Sequence, residues 1–144
     1  MPIKTFRGLI KDNTQHTIAL HTNDGSTGYR IVKFDLMSEA PGAKTLEGAC
    51  KIYKVEQSAI DGVVDFSDQT LLAAGEYHKE QNEAYPLSKA IIFDQEIFNQ
   101  DIYVTWHDVK VDESINYYIE LEQVKLDLNE NTVATLKDIR NINP

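Results

Sequence analysis

The sequence predicts an all-β protein, an antiparallel β-sandwich of jelly-roll-like form. Apolar and polar residues alternate through Ile115–Leu128, which is typical of a half-buried strand. Other strand-like runs recur along the chain, with a turn signal about every 8–12 residues. No repeat, low-complexity tract or flexible linker interrupts the 144 residues, so a single domain over 1–144 is expected.

Four strands are predicted in the first half of the chain. They are Ile3–Ile10, Thr17–Thr22, Tyr29–Met37 and Leu46–Val55. The clearest turn is the Asn-Asp-Gly-Ser segment at 23–26, because Asn and Asp tolerate left-handed backbone and Gly prefers it. Val32, Phe34 and Leu36 are expected to face the core. Leu46–Val55 has mixed faces, so we expect it at a sheet edge or at a switch between sheets.

The chain after residue 55 supplies the remaining predicted strands. They are Val63–Phe66, Lys89–Phe93, Asp101–Val109 and Ile115–Leu128. Leu71–His78 is ambiguous, because Leu-Leu-Ala-Ala favours a helix whereas Gly75 opposes a long one. The alternation in Ile115–Leu128 slips near Gln123, and we interpret the slip as a β-bulge or a bend between sheets.

Residues 129–144 are predicted to be a short C-terminal helix or an extended arm. Asn131 can cap a helix, and Val133, Leu136 and Ile139 then fall near helical spacing. A small sandwich offers this segment few partners of its own. We therefore expect these three apolar side chains to contact a neighbouring subunit.

The chain is acidic, with a formal net charge of −9. Residues 1–72 have 8 Lys/Arg against 9 Asp/Glu, while residues 73–144 have 6 against 14. Phosphate backbones repel such a domain, so we predict no direct nucleic-acid binding. No apolar run approaches the roughly 18 residues of a membrane helix, and the N-terminus lacks a signal-peptide pattern. Synthesis in the cytoplasm and no membrane partner are expected.

Patterns for catalysis and cofactor binding are weak. Cys50, the single cysteine, fits a buried apolar residue better than a nucleophile. His16 and His21 are an odd number of residues apart and would point to opposite faces of one strand. The acidic groups at 61–68 and 108–113 lack the calcium-loop pattern. No metal, cofactor or catalytic residue is predicted.

Glu120 and Glu122 share one face of a strand, about 7 Å apart if extended, which is near the carboxylate spacing of inverting glycosidases. A solvent-facing strand produces the same spacing without catalysis, and we favour that interpretation over a hydrolase. Tyr103 and Tyr118 follow the polar parity of two strands expected to be neighbours. They are the candidate residues for contact with a partner or a glycan.

Five segments resemble small virion-associated structural proteins of marine tailed phages, including cyanophage-like viruses. The segments are 1–10 (MPIKTFRGLI), 28–34 (GYRIVKF), 97–105 (IFNQDIYVT), 116–122 (NYYIELE) and 131–140 (NTVATLKDIR). The resemblance implies a non-enzymatic component of the virion, most simply a capsid decoration or accessory protein. Its partners would be capsid or tail proteins and other copies of itself, with a trimer favoured. The alternative is a carbohydrate- or receptor-binding sandwich of a tail or tail fibre.

Overall fold

The computed structural model describes residues 2–20, 26–41, 45–80, 85–93 and 96–126, and these form eight β-strands. The strands are β1 (Ile3–Ile10), β2 (Thr14–Ile18), β3 (Thr27–Ser38), β4 (Leu46–Tyr53), β5 (Leu71–Lys79), β6 (Leu87–Ile92), β7 (Ile102–Asp108) and β8 (Ile115–Lys125). The predicted all-β class is confirmed, and β1 has the predicted bounds.

The strands form a three-stranded sheet, β1-β8-β3, and a five-stranded sheet, β2-β7-β4-β5-β6. All pairs are antiparallel. Strands equally far from the two ends of the series pair with each other, namely β1 with β8, β2 with β7 and β4 with β5. This pairing resembles that of a jelly roll, in which a folded double strand is wrapped into two sheets. It departs from that pattern at β3 and β6, which lie in different sheets, with β6 paired to β5. The predicted β-sandwich is confirmed.

The core lies between the two sheets. In β8 the buried positions are Ile115, Tyr117, Ile119 and Leu121, which confirms the alternation in the first part of that strand. Trp106 of β7 is fully buried opposite them, and its indole N–H donates to the Glu113 carbonyl at 2.7 Å. The buried indole N–H of Trp106 therefore has a hydrogen-bond acceptor.

A β-bulge lies in β3 rather than in β8. Ile31 pairs with Leu121 and Lys33 pairs with the next residue, Glu120, so Val32 has no partner in the ladder. From Leu121 to Lys125 the ladder is regular, so β8 has no bulge near Gln123. The buried positions nevertheless change parity there, from Leu121 to Leu126. The prediction that Val32 faces the core is also wrong, since it is 37% exposed.

β4 lies in the middle of the five-stranded sheet, so its predicted edge or sheet-switching position is wrong. Its mixed composition reflects burial on both faces. Cys50 and Ile52 face the main core, while Lys51 on the other face is only 3% exposed. A charged residue is tolerated there because its amine has hydrogen-bond partners, described below.

Three further predictions change. β2 begins at Thr14 rather than Thr17, because Asn13 adopts a left-handed φ of 59° and its N–H donates to the Trp106 carbonyl. The ambiguous run after residue 70 is a strand, β5. Val63–Phe66 is not a strand, since this segment joins neither sheet. The predicted arm at 129–144, with Val133, Leu136 and Ile139, lies outside the described residues.

Gly48 is the position of β4 where a side chain has least room. A Cβ built there would lie 2.1 Å from the His107 carbonyl oxygen and 2.8 Å from Trp106 Cη2. At Gly75, on the adjacent strand, the nearest atoms are the flexible ends of Leu36 at 3.0 Å and Phe34 at 3.2 Å. The backbone carbonyl cannot move aside without breaking the ladder, whereas the side-chain ends can shift.

We therefore expect Gly48→Ala to lower the free energy of unfolding by at least about 3 kcal/mol. The matched control, Gly75→Ala, should lower it by about 1 kcal/mol or less. Urea denaturation followed by tryptophan fluorescence measures both. Equal midpoints for the two variants would contradict the described packing between β4 and β7.

Candidate functional site

The two tyrosines selected from the sequence lie on opposite sides of the sandwich. Tyr103 is in β7 of the five-stranded sheet, and Tyr118 is in β8 of the three-stranded sheet. Each alternates with core residues, so each ring is partly buried on an outer face. The expectation that their strands are neighbours is wrong, because the jelly roll sends consecutive strands β7 and β8 to different sheets. They cannot form one patch.

On the five-stranded side, the outer face is covered by residues 54–70, which we call the strap. The Lys51 ammonium donates to Asp61 Oδ1 at 3.0 Å and to the Val63 carbonyl at 2.5 Å. It also lies 5.6 Å from the centroid of the Tyr53 ring. These contacts give the buried charge a carboxylate, a carbonyl and an aromatic face, and they hold the middle of the strap on β4.

Other contacts attach the strap to the flanking strands. The Gln57 N–H donates to Gln15 Oε1 of β2 at 2.9 Å. On the opposite flank, Phe66 packs edge-to-face on Phe93, with centroids 4.9 Å apart. The strap therefore spans the sheet from β2 to the end of β6. Tyr103 is on the same outer face, and burial is the main cause that raises the pKa of its phenol.

The outer face of the three-stranded sheet has no covering segment among the described residues. We call it the Tyr118 face and define it by the outward side chains of its strands. They are Ile3, Thr5, Arg7 and Leu9 of β1, Glu122, Glu120, Tyr118 and Asn116 of β8, and Arg30, Lys33, Asp35 and Met37 of β3. Register places them in four rows of three, one residue from each strand.

Tyr118 is held in place within this face. Its hydroxyl donates to Glu120 Oε2 at 2.7 Å, and Lys33 Nζ lies 5.9 Å from its ring centroid. The hydrogen bond to the Glu120 carboxylate raises the pKa of the Tyr118 phenol, because ionisation would place two negative charges together. A surface cavity of about 670 Å³ lies beside the ring, lined by Arg7, Leu9, Asp35, Met37 and Asn116 together with the adjacent backbone.

The glutamate pair considered for hydrolysis already has structural partners. Glu122 accepts a bidentate bond from Arg30, with Nη2 3.0 Å from Oε1 and Nε 3.1 Å from Oε2. Glu120 accepts from Tyr118. Both glutamates therefore form hydrogen bonds within the Tyr118 face. Their contacts fit side chains on the solvent side of a strand better than a catalytic acid–base pair.

The histidines and acidic clusters likewise have local roles. His16 faces the core, with Nδ1 3.1 Å from the Tyr117 hydroxyl. The Asp108 carboxylate accepts the N–H groups of Lys110 at 2.9 Å and Glu113 at 2.8 Å, and so closes the turn before β8. Across the described ranges, no three His, Cys, Asp or Glu side chains are placed to hold a metal ion. The same ranges contain no helix that could span a membrane.

Sequence reasoning missed Arg7, Asp35 and Asn116, which line the cavity beside Tyr118. Each belongs to a strand that was predicted, and Asn116 has the same parity as Tyr118. Their convergence depends on β1 and β3 flanking β8, which local patterns do not reveal. Comparison of the chain with known proteins finds no matching family model, no matching curated protein and no matching solved structure.

The contact between Lys51 and Asp61 predicts a specific acid dependence. Hydrogen bonding to Lys51 lowers the pKa of Asp61 below its ordinary value of 3.8. The stabilisation is therefore complete above that value and is lost as pH falls through the lower, folded-state pKa. At pH 7 we expect Asp61→Asn to cost about 1 kcal/mol, since the carboxylate is largely solvent-exposed. The cost should shrink towards zero in acid.

A double-mutant cycle isolates this effect. In a Lys51→Met background, Asp61→Asn should lose most of its pH-dependent effect on the free energy of unfolding, because the largest cause of the lowered pKa is absent. A smaller effect should remain, since the Val63 N–H still donates to Asp61 Oδ1 at 3.1 Å. Urea midpoints of the four proteins at neutral and acidic pH supply the measurement. A pH-dependent cost that is equally large with and without Lys51 would contradict Lys51 as the main cause of the lowered Asp61 pKa.

Proposed function

We propose that the protein is a non-enzymatic structural component of a tailed-phage virion, a capsid decoration or accessory protein made in the host cytoplasm. The jelly-roll-like sandwich supports this, because viral capsid proteins are among the domains built as jelly rolls. The resemblance of the chain to virion-associated proteins of marine tailed phages also supports a role in the virion. Solubility at high copy number also agrees with the net charge of −9.

The observation that supports the proposal most is a group of exposed apolar side chains, two within the strap and two beside it. Val64, Phe66, Leu87 and Val109 line two adjoining cavities of about 450 and 340 Å³ on the five-stranded side. Leu87 is 62% exposed, and Phe66 and Val109 are each 56% exposed. We call these four residues the strap patch. Contiguous apolar surface of this kind marks a site of protein contact.

Three carboxylates of the sandwich have structural partners, which agrees with the proposal. Glu96 is paired with the buried Lys54, Glu122 with Arg30, and Asp108 with backbone amides of a turn. Each stabilises the sandwich. In the proposed role the strap patch binds a neighbouring capsid or tail protein, while the sandwich is a rigid support.

Leu87→Asp tests the role of the strap patch in the particle. A charge on this exposed side chain should leave the fold within about 0.5 kcal/mol of wild type but prevent contact with an apolar neighbour. In virions from the encoding phage, quantitative mass spectrometry should detect wild type and lose most of the variant. Ile3→Asp, an exposed apolar position on the opposite sheet, is the matched control and should remain in the particle.

Absence of the wild-type chain from purified virions would contradict the virion role itself. Equal incorporation of Leu87→Asp and wild type would contradict the strap patch as the contact. The two results are independent, so the role and the surface are tested separately.

We also propose that the chain forms a homo-oligomer, with a trimer favoured. Multi-angle light scattering should then give a mass of three times the chain mass of 16.4 kDa. A mass equal to a single chain, unchanged as protein concentration rises, would contradict this proposal.

A further inference from the structure

The cavity on the Tyr118 face combines groups that recognise hydroxyl-rich ligands. Arg7, Tyr118 and Asp35 occupy one row, which places a guanidinium, an aromatic ring and a carboxylate side by side across the three strands. The next row is Leu9, Asn116 and Met37, in which an amide lies between two exposed apolar side chains. Donors, acceptors and apolar surface therefore alternate within a small area.

The charge of this face differs from that of the whole chain. Its three basic residues, Arg7, Arg30 and Lys33, balance its three acidic residues, Asp35, Glu120 and Glu122, although the protein has a net charge of −9. Arg30 and Glu122 neutralise each other directly through their bidentate bond. A neutral surface with alternating donors and acceptors gives an anionic ligand no net attraction, and it suits an uncharged polar one.

We propose that the cavity beside Tyr118 binds an uncharged oligosaccharide. The ring offers an apolar face for the C–H side of a sugar, with Leu9 and Met37 at the flank. Arg7 can donate to sugar oxygens, Asp35 can accept from sugar hydroxyls, and Asn116 can do both. This goes beyond the proposed structural role, uses the opposite sheet, and can fail without affecting that role.

Two physical features favour a small glycan over a macromolecule. The cavity volume of about 670 Å³ lies in the range typical of small-ligand sites, roughly 300–1,000 Å³. The bond from Tyr118 to Glu120 fixes the ring before a ligand arrives, which reduces the entropy lost on binding. A phosphate backbone would need an excess of basic residues, which this balanced face lacks.

The experiment uses the full chain on an array of immobilised oligosaccharides that includes neutral hexose and N-acetylhexosamine polymers alongside sialylated and uronic-acid glycans. Wild type should bind neutral members and not the acidic ones. Tyr118→Ala and Asp35→Asn should each weaken binding by about tenfold. Tyr118→Phe keeps the ring but removes the bond to Glu120 that fixes it, so it should weaken binding by only about threefold.

Tyr103→Ala is the matched control, since it removes the same partly buried residue type from the other sheet. It should bind within about twofold of wild type. Thermal unfolding of each variant separates lost binding from lost fold, and Asp35→Asn alters an exposed side chain that the core does not need.

Three results would overturn the inference. They are no binding to any neutral glycan, binding restricted to acidic glycans, and binding lost in Tyr103→Ala but kept in Tyr118→Ala. A fourth result would reassign the face to protein contact. In that case no glycan binds, while Tyr118→Ala and Asp35→Asn change the mass measured by light scattering.

Discussion

The unpaired residue in β3 determines which side chains the three-stranded sheet presents to solvent. Because Val32 is skipped in the ladder, Ile31 and Phe34 both face the core although they are three residues apart. The same shift places Lys33, Asp35 and Met37 outward beside β8. In a regular strand that keeps Ile31 inward, these residues would face the core, and two uncompensated charges there would cost more than the fold can offset.

The two sheets differ in what covers their outer faces. The five-stranded sheet covers its centre with the strap, which Lys51 holds through Asp61 and the Val63 carbonyl. That sheet therefore has a core on one side and a thin second layer on the other, with Tyr53, Leu71 and Ala74 buried beneath the strap. The three-stranded sheet instead exposes a balanced set of charges around Tyr118. One domain thus has exposed apolar side chains on one side and a charged, polar face on the other.

Local patterns predicted much of this fold. Alternation located β1 and the first part of β8 correctly, and the spacing of turns indicated a sandwich. The bulge was assigned to the wrong strand, because Ile31 and Val32 are adjacent β-branched residues and either suits the core by type. The C-terminal part of β3 does indicate which side chains face the core. There Phe34 and Leu36 alternate with Lys33, Asp35 and Met37, and the first two face inward. The central position of β4 was hidden, because Lys51 is buried by the strap, which follows β4 and folds back over it.

The candidate site depends on tertiary pairing more than on any local motif. Tyr118 could be selected from its parity, whereas Arg7 and Asp35 join it only because β1 and β3 flank β8. Tyr103 has the same local pattern and lies on the other sheet.

The bulge determines which side chains of β3 face solvent. Cross-strand backbone NOEs between β3 and β8 test the position of the bulge most directly. The structure predicts contacts of Lys33 with Glu120 and of Asp35 with Tyr118, with no partner for Val32. Contacts of Val32 with Glu120 and of Phe34 with Tyr118 would contradict it.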